Sequence, residues 1–133
     1  MTPLVVLVVD DNDLLLSLVG RILDTAGIAA LQAGSAADAL RLWRDSPVPI
    51  DMLITDVEMP GQSGFALADK LTRDRPDLPV LFMSGSYRDD PRLDDRLGRG
   101  YAFLEKPFTE QSLIAEVFEL AALPIRRASC SAG

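Results

Sequence analysis

Reactive side chains follow four of the five apolar runs in this chain, at the point where each run ends. Asp10 and Asp11 follow the first run, Asp56 the third, Ser84 the fourth and Lys106 the fifth. If the runs are parallel strands of one sheet, their carboxyl ends share an edge, where ligands of open α/β sheets bind. We therefore expect three carboxylates, one hydroxyl and one ammonium group to converge there.

This set of groups is suited to phosphoryl chemistry. The carboxylates of Asp10, Asp11 and Asp56 would repel one another unless a cation lay among them, and oxygen ligands favour a hard ion such as Mg²⁺. A carboxylate beside Mg²⁺ is able to attack a phosphoryl group and become an acyl phosphate. Lys106 and the Ser84 hydroxyl would then stabilise the phosphoryl oxygens.

Each of these residues also has a purely structural explanation. Asp10, Asp11 and Asn12 would simply cap the helix that follows them, which taken alone is the commoner role for such residues. Asp56 would be a solvated turn residue, Ser84 part of an ordinary loop, and Lys106 a surface lysine before a helix-entry proline. Their joint occurrence at the ends of separate strands favours a shared site.

The composition excludes several other chemistries. The chain has 133 residues, no histidine and a single cysteine, so an internal disulfide, a cysteine zinc cage and a Ser-His or Cys-His triad are ruled out. The formal net charge of -7 argues against direct binding to nucleic acid. Because the N-terminal apolar run is short and ends at Asp10, we predict neither a signal peptide nor a membrane span, and we expect a cytoplasmic location.

Short apolar runs alternate with segments of helical periodicity, which predicts an α/β fold with a parallel sheet. The second strand is the least apolar and is expected at an edge. Strands are predicted over residues 4–9, 28–33, 52–55, 79–83 and 101–104, each followed by a helix. The helix within 86–99 should be short and loosely held, because that stretch is polar and contains proline. We assign residues 1–123 to one domain and 124–133 to a flexible tail or linker stub.

The motifs VLVVDDN, LITDVEMPGQSG, VLFMSG and FLEKPF together resemble the receiver domains of two-component response regulators, over about residues 4 to 122. The resemblance implies a flavodoxin-like (CheY-like) three-layer sandwich, with a five-stranded parallel sheet of order 2-1-3-4-5 and five helices. It also implies a cis peptide bond before Pro107. The segments FMSGS and AFLEKPFT look more like those of receivers fused to hybrid histidine kinases than like those of DNA-binding regulators.

The resemblance implies roles for individual residues in metal binding. Asp56 would be the phosphoacceptor and a ligand of Mg²⁺, for which Mn²⁺ could substitute. Asp11 would bind the ion directly, Asp10 through water, and Glu58 through its backbone carbonyl.

Three further residues would act on the phosphoryl group or respond to it. Ser84 would be the switch hydroxyl that moves to a phosphoryl oxygen, and Lys106 would contact the same group. Phe103 stands where the family keeps an aromatic residue that turns inward on activation. Serine in place of threonine at position 84 is common in such domains.

Two side chains flank the expected entrance to the phosphoacceptor. Glu58 lies two residues after Asp56, and Ser86 lies two residues after Ser84. We hypothesise that Glu58 and Ser86 tune the lifetime of the aspartyl phosphate.

The leading functional prediction is a signalling switch in a phosphorelay. Asp56 would take a phosphoryl group from a sensor histidine kinase or a histidine phosphotransfer protein, and the added charge would shift a conformational equilibrium. The chain would act only on itself and would not be an enzyme with turnover. A downstream target would bind the face formed by the fourth helix, fifth strand and fifth helix, and a weak homodimer is compatible with the family.

Two rival functions share parts of the pattern. A Mg²⁺-dependent phosphohydrolase of the haloacid-dehalogenase type would use Asp11 and Asp13, but Leu14 and Leu15 replace the usual Gly-Thr and Asp56 would have no role. A flavin-binding module would need a loop rich in hydroxyl groups and glycine after the first strand. This chain has acidic residues there, which would repel the flavin phosphate.

Overall fold

The computed structural model describes residues 4–85 and 100–132, with side chains described as far as residue 122. In these ranges five parallel strands form one sheet in the order β2-β1-β3-β4-β5. The strands are β1 (Val5–Val9), β2 (Ala29–Ala33), β3 (Met52–Asp56), β4 (Val80–Ser84) and β5 (Tyr101–Glu105). The predicted sheet order is therefore confirmed, and β2 lies at an edge as expected.

Four helices are present in the described part of the chain. They are α1 (Asp13–Thr25), α2 (Ala36–Asp45), α3 (Gly64–Asp74) and the C-terminal helix (Glu110–Ala132). The fourth of the five predicted helices falls on residues 86–99, which lie outside the described residues. The C-terminal helix continues past Pro124, where the composition changes, so that change does not mark its end. The assignment of 124–133 to a separate tail stays a prediction.

The sheet is covered on both faces by apolar side chains, which explains why its central strands read as continuous apolar runs. Along β1 the side chains alternate between two clusters. Leu7 and Val9 join the cluster beneath α2 and α3, whereas Val6 and Val8 join the cluster beneath α1 and the C-terminal helix. Two cores on either side of one sheet give the three-layer arrangement that was predicted. None of the described helices is both long and apolar enough to cross a membrane.

Hydrogen bonds beyond the strands hold the chain in register at the carboxyl edge of the sheet. The Val57 N–H donates to the Met83 carbonyl at 3.0 Å, and the Lys106 N–H donates to the Ser84 carbonyl at 2.9 Å. The peptide bond between Lys106 and Pro107 is cis, as the family resemblance implied. Backbone hydrogen bonds thus fix the residues that follow β3 and β5 to the end of β4.

Each described helix begins with a side-chain cap that satisfies free backbone N–H groups. Asn12, Ser35 and Ser63 cap α1, α2 and α3 respectively. At the C-terminal helix, the Thr109 hydroxyl accepts from the Ser112 N–H and the Ser112 hydroxyl accepts from the Thr109 N–H, both at 3.0 Å. These caps fix where each loop ends and each helix starts.

The amino-terminal edge of the sheet carries a separate polar and aromatic cluster around the single tryptophan. The Trp43 indole N–H donates to Asp74 Oδ2 at 3.0 Å. The Arg75 guanidinium lies 5.7 Å from the centre of the Trp43 ring and also donates to the Ile50 carbonyl. This cluster joins the ends of α2 and α3 to the loop before β3, on the side of the sheet remote from the acidic residues.

The start of α3 approaches the end of β3 very closely, and this requires glycine at position 64. A Cβ atom on Gly64 would lie 2.1 Å from the Asp56 carbonyl oxygen and 3.2 Å from Thr55 Cγ2. The Gly64 N–H also donates to the Val57 carbonyl at 2.8 Å. The absence of a side chain at Gly64 therefore allows α3 to begin against the backbone of Asp56.

We expect Gly64→Ala to destabilise the protein by about 1–3 kcal/mol, because backbone atoms must move to admit the methyl group. Denaturant unfolding measures this change in the free energy of unfolding. Gly34→Ala is the matched control, since a Cβ atom at Gly34 meets no heavy atom within 4 Å. Equal stability of the two variants would contradict the close approach.

Candidate functional site

Three carboxylates meet at the carboxyl edge of the sheet. One oxygen from each of Asp10, Asp11 and Asp56 lies within 4.8 Å of the others. Asp10 is 1% exposed and Asp56 is 8% exposed, whereas Asp11 faces solvent. The cluster is thus a mostly buried group of acids with one open side.

The Lys106 ammonium group lies between the two buried carboxylates. Its Nζ atom is 3.1 Å from Asp10 Oδ2 and 3.4 Å from Asp56 Oδ1. Lys106 follows β5, and its backbone is anchored to Ser84 at the end of β4. The sheet therefore brings together Asp10, Asp11, Asp56 and Lys106, as their positions after separate strands suggested.

The helix cap belongs to Asn12 and not to the two aspartates before it. Asn12 Oδ1 accepts from the Leu14 and Leu15 N–H groups at 3.1 and 3.2 Å. Asp10 instead accepts from the Asn12 N–H through Oδ1 at 2.9 Å, and from Lys106 through Oδ2. The capping explanation is therefore confirmed for Asn12, whereas the Asp10 carboxylate has other partners.

Burial dominates the electrostatics of Asp56. Desolvation raises the pKa of its carboxyl above the usual value, and the neighbouring Asp10 and, to a smaller extent, Asp11 raise it further. Lys106 opposes this change through its charge and its hydrogen bond, but the net shift of the pKa is still upward. An ionised Asp56 is therefore held in the folded protein at a free-energy cost.

The donor set of the cluster fits a hard divalent cation. When ionised, three carboxylates and one ammonium group carry a net charge of -2, which a divalent ion would balance. All three acidic ligands offer oxygen, and the exposed side at Asp11 leaves room for water and a phosphoryl oxygen. Asp10, Asp11 and Asp56 are thus chemically suited to hold Mg²⁺.

The remaining predicted residues occupy different environments. Ser84 is buried at the end of β4, and Phe103 is half-buried on β5, opposite Phe82. Glu58 is exposed just beyond Asp56. Ser86 lies outside the described residues, and the individual roles of Ser84, Phe103 and Glu58 stay predictions.

Two residues that bear on the site were not singled out for it from the sequence. Gly64 allows α3 to begin against Asp56, and Asn12 holds Asp10 through its backbone. The sequence contains both residues, Gly64 at the end of a glycine-containing loop and Asn12 within DDND. It does not reveal that Gly64 lies against the Asp56 carbonyl or that the Asn12 N–H donates to Asp10.

The family model described as "Response regulator receiver domain" matches residues 6–118 of the chain. Among curated proteins, the chain is 38% identical over 113 residues to "Transcriptional regulatory protein FixJ" of Azorhizobium caulinodans, covering 83% of this chain and 51% of that protein. The chain therefore spans about half the length of this relative.

Solved structures also place the chain among response regulator receiver domains. A receiver domain from the hybrid histidine kinase CckA is 32% identical with a TM-score of 0.74, covering 88% of this chain and 98% of that one. A response regulator receiver domain protein from Clostridium thermocellum is 26% identical with a TM-score of 0.79, covering 96% and 98%. A likeness to a hybrid-kinase receiver is thus found, but the identity to the transcriptional regulator is higher, so the expected preference for hybrid-kinase receivers over those of DNA-binding regulators is not borne out.

Because burial raises the pKa of Asp56, we expect Asp56→Asn to be more stable than the wild type near neutral pH in metal-free buffer. Below the unfolded pKa of about 3.9, Asp56 is protonated in both states and its cost vanishes. As pH rises from the unfolded pKa through the folded pKa, the free energy of unfolding of the wild type falls relative to that of the variant. Above the folded pKa this gap between the two free energies of unfolding stays constant.

Denaturant unfolding of both proteins across this pH range measures the gap. Asp45→Asn, at an exposed position remote from the cluster, should show no comparable dependence on pH. A gap that is constant with pH, or a less stable Asp56→Asn protein at neutral pH, would contradict the burial cost.

Proposed function

The chain belongs to the family of response regulator receiver domains, and from this premise we propose that Asp56 accepts a phosphoryl group within a two-component phosphorelay. The observation that carries the proposal is the contact between a buried Asp56 carboxylate and the Lys106 ammonium group, beside two further carboxylates. The donor would be a sensor histidine kinase or a histidine phosphotransfer protein.

In the proposed transfer, a carboxylate oxygen of Asp56 attacks the phosphorus of a phosphohistidine. A P–O bond forms to Asp56 as the P–N bond breaks, and the imidazole leaves with the electron pair of that bond. Lys106 is near enough to Asp56 to contact an oxygen of the incoming phosphoryl group. The Ser84 hydroxyl, buried at the end of the neighbouring strand, would donate a hydrogen bond to another oxygen of that group.

Asp10, Asp11 and Asp56 would hold the metal, together with the Glu58 backbone carbonyl. When bound, Mg²⁺, or Mn²⁺ in its place, would neutralise charge on the phosphoryl oxygens and on the acidic cluster. The protein supplies the remaining conditions: it keeps Asp56 away from most water and holds the Lys106 ammonium group against the Asp56 carboxylate. Positioning and electrostatics account for most of what phosphoryl transfer requires.

Phosphorylation would change the charge balance around Lys106 and so favour a second conformation. A backbone hydrogen bond connects Lys106 to Ser84, so displacement of one of these residues would displace the other. Phe103, half-buried on the same edge strand, is the aromatic residue proposed to turn inward. Output through the face that includes β5 and the C-terminal helix, a weak homodimer and a cytoplasmic location remain predictions.

An exposed apolar surface beside Lys106 supports a protein as the phosphoryl donor. Leu14 is 84% exposed and Leu18 is 46% exposed on α1. Leu18 also lines a cavity of about 360 Å³ together with Lys106, Pro107 and Phe108. A helical donor could bury these apolar groups while it presents a phosphohistidine to Asp56.

The arrangement favours a stoichiometric acceptor over the rival phosphohydrolase. Asp13, which the phosphohydrolase would need beside Asp11, is the first residue of α1, whereas the acidic cluster is completed by Asp56. Asp56 thus has a role in a receiver and none in the rival. We propose that the chain catalyses only its own phosphorylation and dephosphorylation.

Incubation with acetyl phosphate and Mg²⁺ should add one phosphoryl group per wild-type chain, detected as a gain in intact mass. Asp56→Asn should show no gain, and chelation of Mg²⁺ should abolish the gain in the wild type. Phosphorylation of Asp56→Asn, or a wild-type protein that does not respond to Mg²⁺, would overturn the proposal. Sustained hydrolysis of a generic phosphomonoester would favour the phosphohydrolase instead.

The aspartyl phosphate should persist longer in Glu58→Ala, because the substitution removes a carboxylate that can orient hydrolytic water near Asp56. The decay of the phosphorylated mass after removal of acetyl phosphate gives the lifetime. Ser86→Ala tests the second member of the pair, and Glu110→Ala, at an exposed position on another element, is the control. If Glu58→Ala and Ser86→Ala both decay like the wild type, the lifetime hypothesis fails.

A further inference from the structure

We propose that Asn12 is a positioning residue for the acidic cluster, because it couples the first turn of α1 to the Asp10 carboxylate and thereby sets the affinity of the site for a divalent cation. The inference rests on the proposed function, since it concerns the same cluster. It adds a residue whose own side chain is not among the expected metal ligands.

Asn12 joins α1 to the acidic turn through both its side chain and its backbone. Its side-chain oxygen accepts from the Leu14 and Leu15 N–H groups, and its backbone carbonyl accepts from the Leu16 N–H at 2.9 Å. Its backbone N–H donates to Asp10 Oδ1 at 2.9 Å. The side chain thus fixes the peptide orientation with which the backbone holds Asp10.

Asp10 is held from three directions, and the contact with Asn12 connects it to a helix. Its N–H donates to the Ala33 carbonyl on β2 at 3.1 Å, and its Oδ2 atom contacts Lys106 after β5. Asp11 lies between Asp10 and Asn12, so the two bonded neighbours limit where its exposed carboxylate can lie. Loss of the Asn12 cap would loosen Asp10 and Asp11 together, although it removes no acidic group.

The residue type also matters at this position. Aspartate caps helices as well as asparagine does, but it would place another negative charge next to three carboxylates. Asn12 provides the cap with a neutral side chain. The position therefore meets two requirements, an acceptor for the helix N–H groups and no added charge at the cluster.

The test compares two helix caps in the full chain. Asn12→Ala removes the cap of α1, and Ser35→Ala removes the cap of α2, where the Ser35 hydroxyl accepts from the Asp38 N–H at 3.1 Å. Both variants should melt at a lower temperature than the wild type without metal. Titration calorimetry with Mg²⁺ alone should show a dissociation constant raised by up to about tenfold in Asn12→Ala. The constant should be unchanged in Ser35→Ala.

Asn12→Ser is the conservative variant, because serine retains a side-chain oxygen that caps helices. It should restore the wild-type Mg²⁺ dissociation constant. Equal Mg²⁺ dissociation constants in Asn12→Ala and Ser35→Ala, or failure of Asn12→Ser to restore the wild-type constant, would overturn the proposed role of Asn12. Either result would leave the proposed function of Asp56 intact. Absence of Mg²⁺ binding by the wild-type chain would overturn the proposed metal site, and this inference with it.

Discussion

The contacts of Lys106 with Asp10 and Asp56 are the interaction on which the site depends. Two carboxylates that are nearly inaccessible to solvent would repel each other strongly in a medium of low dielectric constant. The ammonium group reduces this repulsion but does not remove it, since the pKa of Asp56 is still raised. The site therefore remains short of positive charge, a condition that favours the binding of a divalent cation.

The parallel sheet makes this unfavourable grouping possible. Because β1, β3, β4 and β5 run in one direction, their carboxyl ends deliver side chains from distant parts of the sequence to one edge. Two apolar cores, one on each face, provide the stability that compensates for the buried charges. A shift of one residue in the register of β5 would exchange the faces of its side chains and move Lys106 away from Asp56.

The sequence was sufficient to predict the sheet, because buried parallel strands leave a strong apolar signal and a polar residue ends or directly follows four of the five strands. Asp10, Asp56 and Lys106 were found by that rule. Gly64 and Asn12 were not, because their importance lies in backbone atoms that come close only after folding. The change in composition at Pro124 does not locate the end of the C-terminal helix, because composition alone does not show where a helix stops.

The position of Trp43 has a practical consequence for optical measurements on this protein. As the single indole in the chain, it is the natural intrinsic fluorophore, yet it lies with Asp74 and Arg75 at the edge of the sheet opposite the acidic cluster. Its emission should change when the packing between α2 and α3 is lost, and it should change little when a ligand binds near Asp56. Spectroscopy of the acidic edge would therefore need a reporter introduced there, whereas the native tryptophan already serves as an internal gauge of whether the scaffold is intact.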